Sequence, residues 1–197
     1  RILAEYDEVR ERRNQLRHSV YTKPELLATA PNQVWSWDIT RLKGPVKWTY
    51  YYLYVVLDIF SRFVTGWMIA EREGGDLAEH LIAQSCQRQA VQRDQLILHA
   101  ERGAPMKSAP VANLLEELGV TKSHSRPYTA YDNAFSEAQF KTLKYRPDYP
   151  QRFVSIEHAR IWARDFFNWY NHQHRHNSLG LMTPATGHAG LADDLSA

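Results

Sequence analysis

The sequence predicts an α/β fold built on a mixed five-stranded sheet with flanking helices. Three β-type segments come first, at 34–40, 48–58 and 63–70, and the connections between them are short. Short connections favour an antiparallel three-strand meander. Two further short strands are predicted at 96–99 and 120–125, each after a helical pattern. These two strands therefore join the sheet through helical crossovers.

Four helices are predicted from apolar periodicity and from the capping residues that precede it. The first runs from about residue 76 to residue 90, and Gly119 ends the second. The last runs over 156–170, and the tail 172–197 is predicted to be loop-like. The expected N-caps of the four helices are Asp76, Ser108, Asp132 or Asn133, and Ser155.

Composition sets the broad class of the protein. The 197 residues are 44% hydrophobic and 12% aromatic, which is too apolar for a disordered chain. The longest apolar run, 50–57, is too short to cross a bilayer, so we expect no membrane partner. Cys86 is the single cysteine, so a disulfide within the chain and a thiolate zinc site are both excluded. We interpret Cys86 as a buried apolar residue, and Trp35, Trp37 and Trp48 as core aromatics.

We divide the chain into three parts. Residues 1–28 are predicted to form a helical linker, 29–152 the core domain, and 153–197 a C-terminal helix and tail packed on that core. The linker is interpreted as a solvated helix, with a DNA-backbone arm as the alternative. Because the chain begins at an arginine, we expect a further region upstream of it.

Three carboxylates carry the most specific chemical signal. Asp38 lies in an alternating strand pattern, Glu101 follows the short apolar run 96–98, and Glu137 lies at the start of a helical pattern. Carboxylates at strand ends and on a helix can together hold two divalent cations near a phosphodiester. Such a pair stabilises the attacking and the leaving oxygen of an in-line displacement.

Several segments in order resemble the catalytic core of insertion-sequence DDE transposases and retroviral-type integrases. They are Trp35–Thr40, Leu57–Arg62, His99–Gly103, Ser125–Pro127, Asp132–Asn133 with Ser136–Glu137, Leu143–Arg146, Asn168–Asn171, Arg175–His176 and Thr183–Ala185. The resemblance covers about residues 32–190. It implies a ribonuclease-H-like fold and metal-dependent DNA cleavage and strand transfer during transposition.

The resemblance also implies the roles of the site residues. Asp38 would bridge two Mg²⁺ (or Mn²⁺) ions, and Glu101 and Glu137 would each complete the shell of one. The family pattern has Asp at position 101, and the longer Glu matters because magnesium requires near-ideal octahedral geometry. One alternative is therefore a catalytically impaired or repurposed DNA-binding protein. Another is a nuclease without strand transfer, against which the 132–144 segment and the tail motifs argue.

A basic rim surrounds the third carboxylate. Residues 121–152 contain six basic and three acidic residues, a local net charge of +3, which suits a polyanion. On a helix, Glu137, Lys141 and Lys144 share one face, which would place a metal ligand beside two phosphate-binding cations. The alternative is that Glu137 and Lys141 form an ordinary ion pair on the helix surface. DNA contact is assigned to Lys141, Lys144, Arg126, Asn133, Arg146 and His99.

The expected partners are element-end and target DNA and further copies of the chain on that DNA, in a bacterial-type cytoplasm at the nucleoid. Asp58 is expected to cap a turn toward Ser61 or Arg62 rather than bind metal. The alternating His172, His174 and His176 are interpreted as structural or DNA-backbone residues rather than as a metal site.

Overall fold

The computed structural model of the chain describes residues 26–101, 103–124 and 133–190. Almost all of the predicted linker helix lies outside the described residues, as do Arg126 and Asp132, one of the two candidate caps of the third helix. None of the described helices has the length and apolar character needed to cross a bilayer.

The predicted mixed five-stranded sheet is confirmed. Its strands are β1 (Val34–Lys43), β2 (Tyr50–Asp58), β3 (Val64–Ala70), β4 (Ile97–Ala100) and β5 (Thr121–His124). Their order across the sheet is β3-β2-β1-β4-β5. The first three strands pair antiparallel, whereas β4 pairs parallel to both β1 and β5. The meander and the two crossovers therefore occupy opposite halves of the sheet.

Helices cover both faces of the sheet. They are α1 (Gly75–Arg88), α2 (Ala109–Leu118), α3 (Ala134–Lys144), α4 (Ile156–His172) and the short α5 (Pro184–His188). On one face, α1 and α2 pack on a buried cluster that includes Trp35, Trp37 and Ala100. On the other face, α3 and α4 pack on a second buried cluster that includes Leu53 and Val55. Burial on both sides explains why β2 reads as an almost continuous apolar run.

The capping predictions were partly right. Ser155 accepts a hydrogen bond from the His158 amide, and Gly119 ends α2 in the left-handed conformation with φ 65°. Asp76 is not the cap of α1, because that helix begins after Gly74 and the Asp76 carboxylate pairs with Arg72. Ser108 and Asn133 occupy the predicted N-cap positions without a side-chain capping bond.

The prediction that Trp48 is a core residue is wrong. Its side chain is 75% exposed, and its φ is 73°. It lies in the tight turn between β1 and β2, which is closed by a hydrogen bond from the Gly44 amide to the Thr49 carbonyl at 2.9 Å. Residues in this turn project beyond the sheet, where no described helix covers Trp48. Trp35 and Trp37 are buried as predicted, and so is Cys86.

The prediction of a loop-like tail is also wrong for its first part. A short 3₁₀ turn spans Asn177–Leu179, and α5 follows it. Thr183 caps α5 by accepting a hydrogen bond from the Thr186 amide at 3.2 Å, and Pro184 occupies the first helical position. A threonine followed by proline is a helix-start signal that could have been read from the sequence. Helix α4 extends two residues past its predicted end, to His172.

Candidate active site

Strand register brings Asp38 beside Glu101. In the parallel pair β1–β4, Trp37 lies opposite Ala100, and the pairing stops there. Asp38 and Glu101 are each the next residue along their chains, so they start from neighbouring strands about 4.8 Å apart. Both also line one cleft of about 180 Å³. Two residues far apart in the sequence are therefore adjacent because of a single register.

Helix α3 crosses the face of β1 from which Asp38 projects. Side chains alternate along a strand, so Ser36, Asp38 and Thr40 share one face. The Ser36 hydroxyl lies 2.6 Å from the Ser136 hydroxyl, and the Lys144 ammonium donates to Thr40 Oγ1 at 2.6 Å. These two contacts fix the start and the end of α3 on either side of Asp38. Glu137, the neighbour of Ser136, is thereby held near the site.

The three carboxylates share one electrostatic field. The pKa of Asp38 is raised to about 7, first by burial and then by the charges of Glu101 and Glu137, although a hydrogen bond from the Ile39 amide and the nearby Lys144 act against the rise. A half-buried carboxylate whose charge is opposed by its surroundings attracts a cation. Among the described residues, no three acidic, histidine or cysteine side chains are grouped closely enough to bind an ion as they stand. Convergence of all three on metal ions therefore stays a prediction.

His99 and Asn133 are buried next to these carboxylates. The His99 ring lies 3.0 Å from the Ser123 hydroxyl and thus links β4 to β5. Asn133 accepts a hydrogen bond from the Ser36 hydroxyl and so holds the start of α3 on β1. Their assigned contact with DNA stays a prediction, and the contacts seen here support the site from within the protein.

The assigned cations differ in their surroundings. Lys141 is exposed on α3, whereas Lys144 contacts Thr40 beside Asp38. The Arg146 guanidinium lies 4.2 Å from the centroid of the Trp169 ring and pairs with Asp148 at 2.6 Å. Lys141 is therefore exposed to solvent, Lys144 is held beside the carboxylates by Thr40, and Arg146 is held by Trp169 and Asp148.

Sequence reasoning missed Glu73, which lines the same cleft as Asp38 and Glu101. It lies between β3 and α1, where no periodic pattern marks it, and its carboxylate is 4.0 Å from the Arg41 guanidinium. Asp58, by contrast, has its predicted turn-capping role, because it accepts hydrogen bonds from the amide and the hydroxyl of Ser61, both at 2.8 Å. His174 and His176 pack their rings against Tyr170, as the structural interpretation expects.

Comparison with known proteins agrees with this architecture. A model of the integrase core domain matches residues 28–130, and a second integrase core domain model matches residues 118–184. The chain belongs to the integrase core domain family. This integrase core is 32% identical over 161 residues to the transposase for insertion sequence element IS904 of Lactococcus lactis, covering 80% of the chain and 61% of that relative.

A second relative is the transposase InsF for insertion sequence IS3A of Escherichia coli. It is also 32% identical over 161 residues, with 81% of this integrase core and 55% of the relative covered. The chain thus spans only a little more than half the length of these curated relatives. The resemblance to insertion-sequence transposases is confirmed for the core that they share.

Solved structures confirm the ribonuclease-H-like fold. The catalytic core domain of HTLV-2 integrase in complex with magnesium matches with a TM-score of 0.60 at 17% identity, covering 82% of this integrase core and 99% of that chain. A chain of the simian T-cell lymphotropic virus intasome matches with a TM-score of 0.64 at 21% identity, covering 82% and 55%. At these identities the match concerns the fold alone.

Proposed function

We propose that this integrase core is the catalytic core of an insertion-sequence transposase. It would cleave DNA at the ends of a mobile element and join the freed 3′-hydroxyl to target DNA. The observation that carries the proposal is the β1–β4 register, which sets Asp38 beside Glu101 below the helix that bears Glu137. DNA and further copies of the chain are its proposed partners, in the cytoplasm at the nucleoid.

The donor set fits divalent cations. Carboxylate oxygens are the ligands that Mg²⁺ and Mn²⁺ prefer. Burial and the charges of Glu101 and Glu137 raise the pKa of Asp38, so a bound cation would stabilise its ionised form. Asp38 would be shared between two ions, and Glu101 and Glu137 would each hold one. When bound, such ions act as Lewis acids toward the attacking and leaving oxygens of a phosphodiester.

The chain's own groups would hold the reacting phosphate in place. The Lys144 ammonium lies beside both Thr40 and Asp38, so it can pair with a phosphate oxygen close to the carboxylates. Neither displacement needs a nucleophile from the protein, because water attacks first and the DNA 3′-hydroxyl attacks second. The proposal therefore requires no covalent protein–DNA intermediate, and positioning and electrostatics carry the catalysis.

The direct test is an assay on labelled element-end duplexes with Mg²⁺ or Mn²⁺. We expect metal-dependent nicking that leaves a 3′-hydroxyl, followed by covalent joining of that end to a second duplex. Nicking without any joined product would support the nuclease alternative. DNA binding with no strand cleavage in either metal would contradict the proposed function.

Position 101 gives a second prediction. Glu101→Asp is expected to raise magnesium-dependent activity about tenfold or more, equivalent to about 1.4 kcal/mol of barrier. The reason is that the shorter side chain restores the carboxylate reach of the family pattern in a site where magnesium tolerates little distortion.

The measurement for position 101 compares the natural chain with the variant in Mg²⁺ and in Mn²⁺. We expect Mn²⁺ to narrow the difference between the two proteins. Equal rates in Mg²⁺ would show instead that Glu101 is a fully competent ligand.

A third prediction concerns the cations on α3. The double variant Lys141→Ala/Lys144→Ala is expected to weaken DNA binding and to lower the slope of log affinity against log salt by about two, near one per lost phosphate contact. Sequence preference should not change, because phosphate contacts position DNA without reading its bases. Fluorescence anisotropy at several salt concentrations measures the slope, and an unchanged slope would exclude these lysines from the DNA path.

A further inference from the structure

Strand β1 has an open edge immediately beyond the carboxylates. On one side β1 pairs with β2 along nearly its whole length, from Trp35 to Lys43. On the other side β4 pairs only with Val34–Trp37. The stretch from Asp38 to Lys43 therefore continues past its shorter neighbour. The backbone amide of Phe153 reaches this edge at its far end and donates to the Lys43 carbonyl at 2.9 Å.

A large basic cleft, called here the open-edge cleft, lies along this edge. Its volume is about 740 Å³, and it is lined by Arg41, Lys43, Lys144, Tyr149, Gln151 and Arg152. Four of these six side chains are cationic, and among the described residues that line it none is acidic. The Arg41 guanidinium lies 5.8 and 5.7 Å from the ring centroids of Tyr50 and Tyr52 and 4.0 Å from the Glu73 carboxylate, and its side chain is 63% exposed.

Cations gathered in this way repel one another unless an anion joins them. Burial lowers the pKa of the Lys144 ammonium, the nearby Asp38 raises it, and the charge of Lys43 lowers it again, so Lys43 and Lys144 lie close enough to repel each other. Such a cluster is unfavourable in the isolated protein and becomes favourable when a polyanion binds. The open-edge cleft therefore has the positive charge expected of a site for an anionic ligand. Of the residues assigned to DNA contact from the sequence, only Lys144 lines this cleft.

We propose that the open-edge cleft binds the sugar–phosphate backbone of DNA next to the scissile phosphodiester. This inference rests on the proposed function, because it places one DNA strand at the carboxylates. At about 3.3 Å per residue, Arg41 and Lys43 lie about 10 and 17 Å along β1 from Asp38. These lengths equal the axial rise of about three to five nucleotides of duplex DNA. The open-edge cleft would therefore contact the phosphates that lie a few nucleotides from the scissile phosphodiester.

The turn between β1 and β2 extends the same surface. The Arg152 guanidinium donates to the carbonyls of Gly44 and Val46, at 3.0 and 2.9 Å, and so ties the turn to the cleft. At the tip, Trp48 is exposed and held at positive φ, with the Lys47 ammonium 5.2 Å from its ring centroid. An exposed aromatic ring beside cations is a stacking surface for a nucleotide. We include Trp48 in the proposed DNA-binding surface on this ground.

The test compares Arg41→Ala/Lys43→Ala with a matched control, Arg88→Ala/Arg93→Ala. The control removes two arginines at the end of α1 and after it, and α1 packs on the sheet face opposite α3. Anisotropy with a duplex oligonucleotide, without divalent metal, gives the affinity at several salt concentrations. We expect the cleft variant to bind at least about tenfold more weakly, with a salt slope lower by about two, and the control to match the natural chain.

Two more variants separate charge from structure. Lys43→Arg keeps the charge, so its slope should equal that of the natural chain. Trp48→Ala should lower the affinity for a duplex with a single-stranded overhang by about fivefold or more, because only unpaired bases offer a free face to the ring, and the slope should not change, because stacking releases no counterions. Thermal melting of each variant checks that the fold is retained.

The outcomes separate the two proposals. If the natural chain binds DNA and Arg41→Ala/Lys43→Ala binds with the same affinity and salt slope, the proposal that the open-edge cleft binds DNA is wrong, and the proposed function still stands. An equal loss in the control pair would also overturn the proposal for this cleft, because the effect would then follow net charge alone. If the natural chain shows no salt-dependent DNA binding, both proposals fail. Unchanged affinity of Trp48→Ala removes the turn from the binding surface.

Discussion

Asp38→Asn is expected to lower metal-dependent DNA cleavage by at least about a thousandfold, equivalent to about 4 kcal/mol of barrier. Asn has nearly the shape of Asp but lacks the negative charge that two cations would share. The same substitution is expected to make the metal-free protein more stable, because it removes a carboxylate whose charge is opposed by burial, Glu101 and Glu137. Loss of activity with a gain in stability distinguishes a site residue from a structural one.

The gain in stability should depend on pH in a defined direction. The pKa of Asp38 is about 7 in the folded chain, against the usual value of 3.8. Between these values the folded state binds the additional proton, so its stability falls as the pH rises from about 4 to about 7. Above that range the ionised carboxylate costs the natural chain up to a few kcal/mol. The Asn variant should therefore gain most at pH 8 and little at pH 4.

Thermal melting at pH 4 and pH 8, with and without Mn²⁺ at pH 8, measures these effects. Metal is expected to raise the melting temperature of the natural chain and to have a much smaller effect on Asp38→Asn. Asp165→Asn is the matched control, since this exposed carboxylate on α4 lies outside the site. Wild-type cleavage rates in Asp38→Asn would contradict the assignment of the site.

Asp58→Ala is expected to destabilise the fold by about 3–5 kcal/mol. The Asp58 carboxylate is fully buried and accepts hydrogen bonds from the Asn32 amide at 2.7 Å and from the amide and hydroxyl of Ser61 at 2.8 Å. Removing it leaves three donors without their acceptor, and each buried unsatisfied donor costs about 1–3 kcal/mol. These contacts join the segment before β1 to the turn after β2.

The same carboxylate also supports the C-terminal part of the chain. The Ser61 hydroxyl lies 2.9 Å from Nδ1 of His188, whose ring stacks on Phe63 and whose Nε2 lies 2.8 Å from Gln89. Loss of Asp58 is therefore expected to loosen α5 from the β2–β3 turn as well.

Urea unfolding followed by far-ultraviolet circular dichroism gives the free energy of unfolding for Asp58→Ala. Asp58→Asn should lower the free energy of unfolding by less than Asp58→Ala does, because the Asn side chain keeps one oxygen acceptor. Asp165→Ala is the surface control and should stay within about 0.5 kcal/mol of the natural chain. A loss below about 1 kcal/mol in Asp58→Ala would show that the turn is held by other contacts.

Local sequence determined most of the elements of this protein and some of the helix ends. Alternation in 34–40 and the apolar run of β2 predict strands because a pleated chain buries alternate or all side chains. Gly119 and Ser155 mark helix ends through local backbone interactions. Gly119 adopts the left-handed conformation that ends α2, and Ser155 accepts a hydrogen bond from a backbone amide in the first turn of α4. The order of the motifs was also enough to indicate the family.

Only the tertiary structure decided which distant residues meet. The pairing of Trp37 with Ala100 sets Asp38 beside Glu101, and a shift of one residue would turn one of them to the other face. The exposure of Trp48 depends on a turn that projects past the sheet, and Glu73 reaches the cleft through a loop without any pattern. The open-edge cleft exists because β4 is shorter than β1. Strand lengths and register arise from packing of the whole sheet, so no local stretch of sequence encodes them.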